Sequence, residues 1–214
     1  MGDRAVVLAS GSPRRAALLA RLEVPFTVRV AVVDESPLIG ELPEVLAVRL
    51  ASEKARAVAA TADGDAVVIG GDTVVALHDR LLGKPVDDAE AREMLRALSG
   101  RPHTVWTGVA VVQAGSGACE TAVVPSIVRF RVLTEAEIEA YVGTGEGRDK
   151  AGAYAVQGIG GGLIAEVVGC WNTVIGLPLC ATARLLRGAG VTVAAAEPVC
   201  TRPDGSACPR SGRS

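Results

Sequence analysis

The sequence predicts an α/β domain, and three observations carry that expectation. An apolar strand over residues 5–8 leads through Ser10-Gly11-Ser12-Pro13 into a helix; strand-like and helix-like patterns then alternate along the chain; and its middle holds two long strand patterns joined by a short glycine-containing loop, an antiparallel hairpin. The 214 residues, 49% of them hydrophobic, suffice for one large domain or two lobes sharing a sheet. A net charge of -2 without a long basic run excludes a nucleic-acid groove driven by counterion release, so a phosphate ligand would be small. No run of about 18 apolar residues escapes a charge or a glycine, and Gly2-Asp3-Arg4 leads straight into the first strand; we therefore expect no membrane segment, no signal peptide and a cytoplasmic setting. The 5 cysteines are odd in number and include no Cys-x-x-Cys pair, which argues for reduced thiols rather than a zinc site or a disulfide framework. With only His78 and His103 in the chain, any metal would rest on carboxylates.

In the first helix Ser12 stands as N-cap and Pro13 at the first helical position, with Ala17, Leu18 and Leu22 on the inward face. A helix start offers unpaired N–H groups and a positive dipole end, and Arg14 and Arg15 add fork-shaped donors suited to phosphate. The same residues also fit an ordinary capped helix with two solvated arginines. Phe26, Val28, Val30 and Val32 alternate with polar or small residues as a half-buried strand, which ends at the carboxylates Asp34 and Glu35. A helix over 43–60 carries Leu46, Leu50 and Lys54 on one stripe, so Lys54 either snorkels to water or is aimed into a cleft.

Residues 66–77 form a strongly apolar strand interrupted by Gly70, Gly71 and Asp72. An unpaired buried carboxylate would be unfavourable by several kcal/mol, so Asp72 is expected to meet a cation or border a polar cleft. A turn near Asp79 and Arg80 then brings Lys84 back as a second cation facing Asp72. Residues 87–98 read as a helix opened by Asp87 and Glu90, 104–112 and 119–132 as the hairpin, and Thr134 with Glu137 as a capping box starting another helix. The glycine-rich stretch 143–169 is interleaved with Ile159, Leu163 and Ile164, which suggests an ordered loop and strand beside a ligand. Gly176-Leu177-Pro178 opens a last helix, a short strand over 191–193 follows, and the polar tail 198–214 is expected to be disordered, leaving 1–197 as one domain.

Taken in order, Ser10-Gly11-Ser12-Pro13-Arg14-Arg15, Asp34-Glu35, Lys54, Gly71-Asp72-Thr73-Val74-Val75, Gly83-Lys84-Pro85, Asp149-Lys150-Ala151-Gly152, Gln157-Gly158 and Gly176-Leu177-Pro178 resemble the Maf family of nucleoside triphosphate pyrophosphatases over roughly residues 4–195. Each motif alone is weak, but their joint occurrence in one order is specific. The resemblance implies an α/β fold with a long, bent mixed sheet flanked by helices, two lobes around a central cleft of the Maf and inosine triphosphatase kind, and a homodimer. It further implies cleavage of a nucleoside triphosphate to the monophosphate and pyrophosphate with a divalent cation, magnesium or manganese. On that template Arg14, Arg15, Lys54 and Lys84, with the helix start at Ser12, would neutralise the triphosphate, Ser10 and Lys150 would also bind substrate, and Glu35 and Asp72 would hold the metal, with Asp72 also the general base and Glu35 and Lys84 its catalytic partners.

Arg15, Thr73 and Gln157 match the branch of that family acting on dTTP and UTP, and the Gln157 amide would complement a uracil or thymine edge. The alternatives are the branch acting on 7-methyl-GTP and a nucleotide-binding regulator of cell division. One departure lies at Gly169-Cys170-Trp171-Asn172-Thr173, where the family commonly has Gly-Ser-Tyr-x-Asn; it affects the expected cleft wall rather than the catalytic set.

Overall fold

The structure, a computed structural model, describes residues 4–194 and residue 200. Strand β1 (Val6–Leu8) feeds α1 (Pro13–Ala20), β2 (Phe26–Val28) and α2 (Pro43–Ala59). The long β3 (Val67–Leu77) turns back into β4 (Arg80–Leu82), and α3 (Asp88–Leu98) leads to the hairpin β5 (Pro102–Gln113) and β6 (Cys119–Phe130). After α4 (Glu135–Gly143), two 3-10 turns, Ala151–Ala153 and Gly158–Leu163, precede β7 (Ile164–Gly169), α5 (Trp171–Ile175) and α6 (Leu179–Gly188). Among the described residues no helix is long and apolar enough to cross a membrane.

The strands form one mixed sheet in the order β2-β1-β3-β5-β6-β7, so the expected α/β architecture with helices flanking a mixed sheet is present. β1 runs parallel to both β2 and β3, whereas β3, β5, β6 and β7 pair antiparallel. β3 is the axis of this arrangement. One of its edges is covered along nearly its whole length by β5, but the other is shared: β1 pairs with Val67, Val68 and Ile69, and β4 with Val75, Ala76 and Leu77. Between those partners Gly70 to Val74 have no strand on that side. The gap follows from the shortness of β1 and β4, and it leaves Asp72 and Thr73 at an open sheet edge.

Helix α2 lies unusually close to this part of the sheet, and two glycines make that possible. A Cβ on Gly70 would stand 2.0 Å from the Ala51 carbonyl oxygen, and one on Gly108, which is paired opposite Asp72, would stand 2.2 Å from the Ala47 oxygen. The helix answers with small residues, Ala47, Ala51 and Ala55, all fully buried. This backbone-to-backbone contact brings Lys54, one turn beyond Leu50, directly over the Asp72 side of β3.

Apolar clusters form at both ends of β3. Near its start, Val6, Leu8, Val67 and Ile69 pack with Leu18, Leu19, Leu22 and the α6 residues Leu179, Ala183 and Leu186 on one face, while Ala51, Ala55 and Val58 cover the other. Near its end, Val75 and Leu77 pack with Met94, Leu95, Leu98, Phe130, Ile138 and Tyr141. Within this second cluster the His103, Phe130 and Tyr154 rings meet edge to face, and His103 Nε2 is 2.7 Å from the Tyr154 hydroxyl. Burial lowers the His103 pKa from 6.5 to about 4, only partly opposed by a backbone contact to Arg101.

Several local expectations differ. On α1, Ala17 is exposed and Leu19 takes the inward position, because the buried face is set by Leu18, Leu19 and Leu22. The second strand stops at Val28: its partner, β1, is three residues long, and Val30 and Val32 continue the alternation at the surface, 67% and 94% exposed. Val132 lies beyond the end of β6 and is exposed, as is Ile159, whereas Leu163 is buried as expected. No strand forms at 191–193, where Val191 instead packs beside α6. Helix α5 is an element that the sequence pattern did not suggest. The 198–214 tail lies outside the described residues apart from Cys200, which is buried against Cys170 and Asn172. The four described cysteines, Cys119, Cys170, Cys180 and Cys200, form no disulfide.

Two outcomes follow. Gly70→Ala forces a side chain into the Ala51 backbone and should destabilise the protein by roughly 3 kcal/mol or more in urea unfolding; an unchanged midpoint would show that α2 does not depend on this contact. His103 is held neutral in the folded protein, whereas in the unfolded chain it takes up a proton below about pH 6.5. Stability should therefore fall as the pH drops from 6.5 towards 4, by roughly 3 kcal/mol from this group. His103→Gln should flatten that part of the stability profile relative to wild type, and identical slopes would remove His103 as its cause.

Candidate active site

The open edge of β3 is where charge collects. Lys54 Nζ lies 2.6 Å from Asp72 Oδ1 and 2.5 Å from Glu35 Oε1, so two carboxylates from distant segments converge on one ammonium. Lys54 and Asp72 are each 8% exposed, and at that depth neither could stand unpaired without a large desolvation cost. Glu35 sits on the outer side, with its side chain 48% exposed. Burial raises its pKa, but the hydrogen bond and charge of Lys54, with Lys84 and Arg15 behind, outweigh this and hold it below the ordinary carboxylate value. The loop bearing Glu35 is pinned to α2 by Arg49, which donates to Glu41 at 2.7 and 2.9 Å and to the Ser36 carbonyl at 3.0 Å. Lys84 was expected to face Asp72. Its ion pair is instead with Glu35, at 4.0 Å, because β4 ends at Leu82 and carries the largely exposed Lys84 past the strand towards the outer carboxylate.

Across the gap stands the start of α1. Ser12 caps the helix by accepting from the Arg15 amide, and the Ser12 amide in turn donates to Ser10 Oγ. Among the described residues Arg14 has no ion-pair partner, although it lines the same cleft. Arg15 is different. Three of its donors are engaged inside the protein: Nε to the Gly176 carbonyl at 2.9 Å, Nη1 to Ser10 Oγ at 3.2 Å and Nη2 to Thr73 Oγ1 at 3.2 Å. Burial lowers its pKa, against the opposing charge of Asp72.

Thr73 continues this polar chain. Side chains alternate along β3, so Asp72 faces α2 while Gly71 and Thr73 face Arg15 and α5. Thr73 Oγ1 lies 3.0 Å from Oγ1 of Thr107, its register partner on β5, and Thr107 donates to the Thr173 carbonyl on α5 at 2.7 Å. Thr107 escaped the sequence reading because a threonine within an apolar strand pattern carries no sign of what it will meet.

The cleft between these elements has a volume of about 870 Å³ and is lined from both ends of β3. Ser10, Ser12, Arg14, Arg15, Glu35, Lys54, Asp72, Thr73, Lys84, Lys150 and Gln157 all line it, so every residue given a site role from the sequence reaches one cavity, whereas Asp34 does not. Lys150 pairs with its neighbour Asp149, and Gln157, exposed, stands as N-cap of the 3-10 turn 158–163. That turn is held by Glu146, a second residue unmarked in the sequence: its carboxylate accepts from the Ile159 amide at 3.0 Å and the Gly160 amide at 2.8 Å. Gly158, at φ +75°, leaves room for it, since a Cβ there would stand 2.3 Å from Glu146 Oε1.

Chemically, the cavity offers hard carboxylate oxygens on one wall, a helix start with a guanidinium on another, and amide and hydroxyl groups on a third. Among the described residues no cluster of three or more His, Cys, Asp or Glu side chains could cage a metal by itself. Glu35 and Asp72 nevertheless present two converging carboxylates whose hard oxygens would suit a divalent cation.

Known proteins resemble this chain over most of its length. The chain is 52% identical over 186 residues to a dTTP/UTP pyrophosphatase of Myxococcus xanthus (strain DK1622), covering 87% of this chain and 93% of that one. Proteins of the same name from Novosphingobium aromaticivorans and Moorella thermoacetica are each 51% identical, over 88% of this chain and 93% and 96% of theirs. A HAM1 protein from Coxiella burnetii is a distant likeness, at 20% identity and a TM-score of 0.41 over 59% of this chain and 73% of that one. Residues 5–189 match the family described as Maf-like protein, and the chain belongs to that family.

Proposed function

We propose that this protein is a nucleoside triphosphate pyrophosphatase that hydrolyses dTTP and UTP, with modified pyrimidine triphosphates as further candidates, to the monophosphate and pyrophosphate. The names of its relatives support the activity, and one observation supports the site: Glu35, Asp72 and Lys54 converge at the open edge of β3, across one cleft from the α1 start and Arg14.

In this reading Arg14, the amides at the start of α1, Lys84 and Lys150 bind the triphosphate, and Lys54 holds Glu35 and Asp72 in register. Glu35 and Asp72 would hold a divalent cation, magnesium or manganese, which would supply neutralisation of the triphosphate charge. Asp72, fixed by Lys54 on a buried strand, orients a water towards the α-phosphorus and takes its proton as the bond to the departing pyrophosphate breaks. Gln157 and the Arg15–Thr73 pair face the base, where an amide complements the donor and acceptor edge of uracil or thymine. The reading includes a homodimer, as the family resemblance implies, and a cytoplasmic setting; the described Cys119, Cys170, Cys180 and Cys200 form no disulfide.

Pyrophosphate release from a panel of nucleoside triphosphates with magnesium is the direct test, and dTTP and UTP should lead it. A preference for 7-methyl-GTP would move the protein to the other branch, and binding without turnover would favour a regulator. Asp72→Asn should cut turnover at least about a hundredfold while a non-hydrolysable UTP analogue still binds in calorimetry. Arg14→Ala should weaken that binding by about tenfold or more. Near-normal turnover in Asp72→Asn would transfer the base role to Glu35.

A further inference from the structure

Thr107 is 0% exposed and separated from the cleft by Thr73, yet the direction of every hydrogen bond around it is forced. The Thr173 carbonyl can only accept, so the single hydroxyl proton of Thr107 goes to it. Towards Thr73 the Thr107 oxygen is therefore an acceptor, and the Thr73 proton is engaged in turn. Thr73 can then only accept from Arg15 Nη2, while Arg15 Nε donates to Gly176 at the far end of the same short helix. The bonds close a circuit that leaves α5 at Thr173, crosses β5 and β3, and returns through Arg15 to Gly176. Arg15 also lies close over two glycines, since a Cβ on Gly71 would stand 3.3 Å from its Nε and one on Gly176 3.5 Å.

We propose that Thr107 is a positioning residue for substrate selection: by engaging the Thr73 proton it makes Thr73 an obligate acceptor at the cleft and locks Arg15 between β3 and α5. This rests on the reading of the cleft as a pyrimidine triphosphate site. Uracil and thymine carry a ring N–H that meets an acceptor well, whereas the corresponding cytosine nitrogen is a bare lone pair and would face lone pair against lone pair. The polarity of the wall, which Thr107 sets, thus discriminates UTP from CTP.

The test compares wild type, Thr107→Val and Thr107→Ser for hydrolysis of UTP and CTP, with the Arg15 Nε–H signal followed by nitrogen NMR in the protein without nucleotide. Valine keeps the volume but neither donates nor accepts, so Thr73 is free to turn its proton to the cleft. Thr107→Val should raise the KM for UTP about tenfold with kcat changed by less than about threefold, and should narrow the UTP-to-CTP ratio of kcat/KM about tenfold. Its Arg15 signal should shift, and Thr107→Ser should restore both the ratio and the signal. A UTP-to-CTP ratio unchanged in Thr107→Val, or a serine variant as impaired as the valine one, would overturn the proposal. Wild-type protein that cleaves no pyrimidine triphosphate would instead refute the substrate reading, and an Arg15 signal unmoved in Thr107→Val would refute the positioning role itself. Should Thr107→Val not fold, Thr107→Ala carries the same comparison.

Discussion

The ammonium of Lys54, held between Asp72 and Glu35, is the interaction on which the arrangement of this protein turns. Asp72 lies within a strand of nearly continuous apolar character, and a carboxylate there is tolerable only with a cation against it. The cation has to come from α2, and α2 reaches only because Gly70 and Gly108 let its backbone settle on the sheet. Small residues in two strands and one helix thus serve a single ion pair. Buried ion pairs are weak sources of stability, and apolar replacements of similar volume often do as well. Retaining the pair makes sense as a means of presenting a rigid carboxylate to a cleft.

The sheet supplies the opening for that carboxylate. A fully paired β3 would bury Asp72 and Thr73 beneath neighbours on both edges, but β1 stops at Leu8 and β4 reaches only to Val75. Strand alternation at the gap then divides the labour. The Asp72 face belongs to α2 and the charged groups, and the Thr73 face belongs to Arg15, Thr107 and α5. In the proposed function, chemistry and selection therefore fall to adjacent residues that do not compete for the same neighbours.

The second wall is held by backbone acceptors and donors rather than by charge. Thr107 and Arg15 reach the carbonyls of Thr173 on α5 and of Gly176, its C-cap, and Glu146 receives two amides of the turn that follows Gln157. α5 has only five residues and little stability of its own, so its place depends on these contacts. It is also where the chain departs from the motif expected at 169–173, and Cys170 and Asn172 there pack against Cys200 rather than lining the cleft.

Much of this was decided locally. The Ser12-Pro13 helix start, the Thr134 and Glu137 capping box, the β5–β6 hairpin and the need of Asp72 for a cation all follow from residue chemistry over a few positions, and the order of the short motifs identified the family. What the sequence could not contain was any fact that requires two distant segments at once. The alternation at 26–32 could not reveal that β1 is too short to continue the pairing, and the Lys84 motif could not say which of two carboxylates it would approach. Thr107 and Glu146 are unremarkable in their own neighbourhoods and acquire a role only from backbone groups 66 and 13–14 residues away. Periodicity and capping report a residue's immediate surroundings, whereas the direction of a hydrogen bond across a cleft depends on where the other partner folds, and only the tertiary structure decides that.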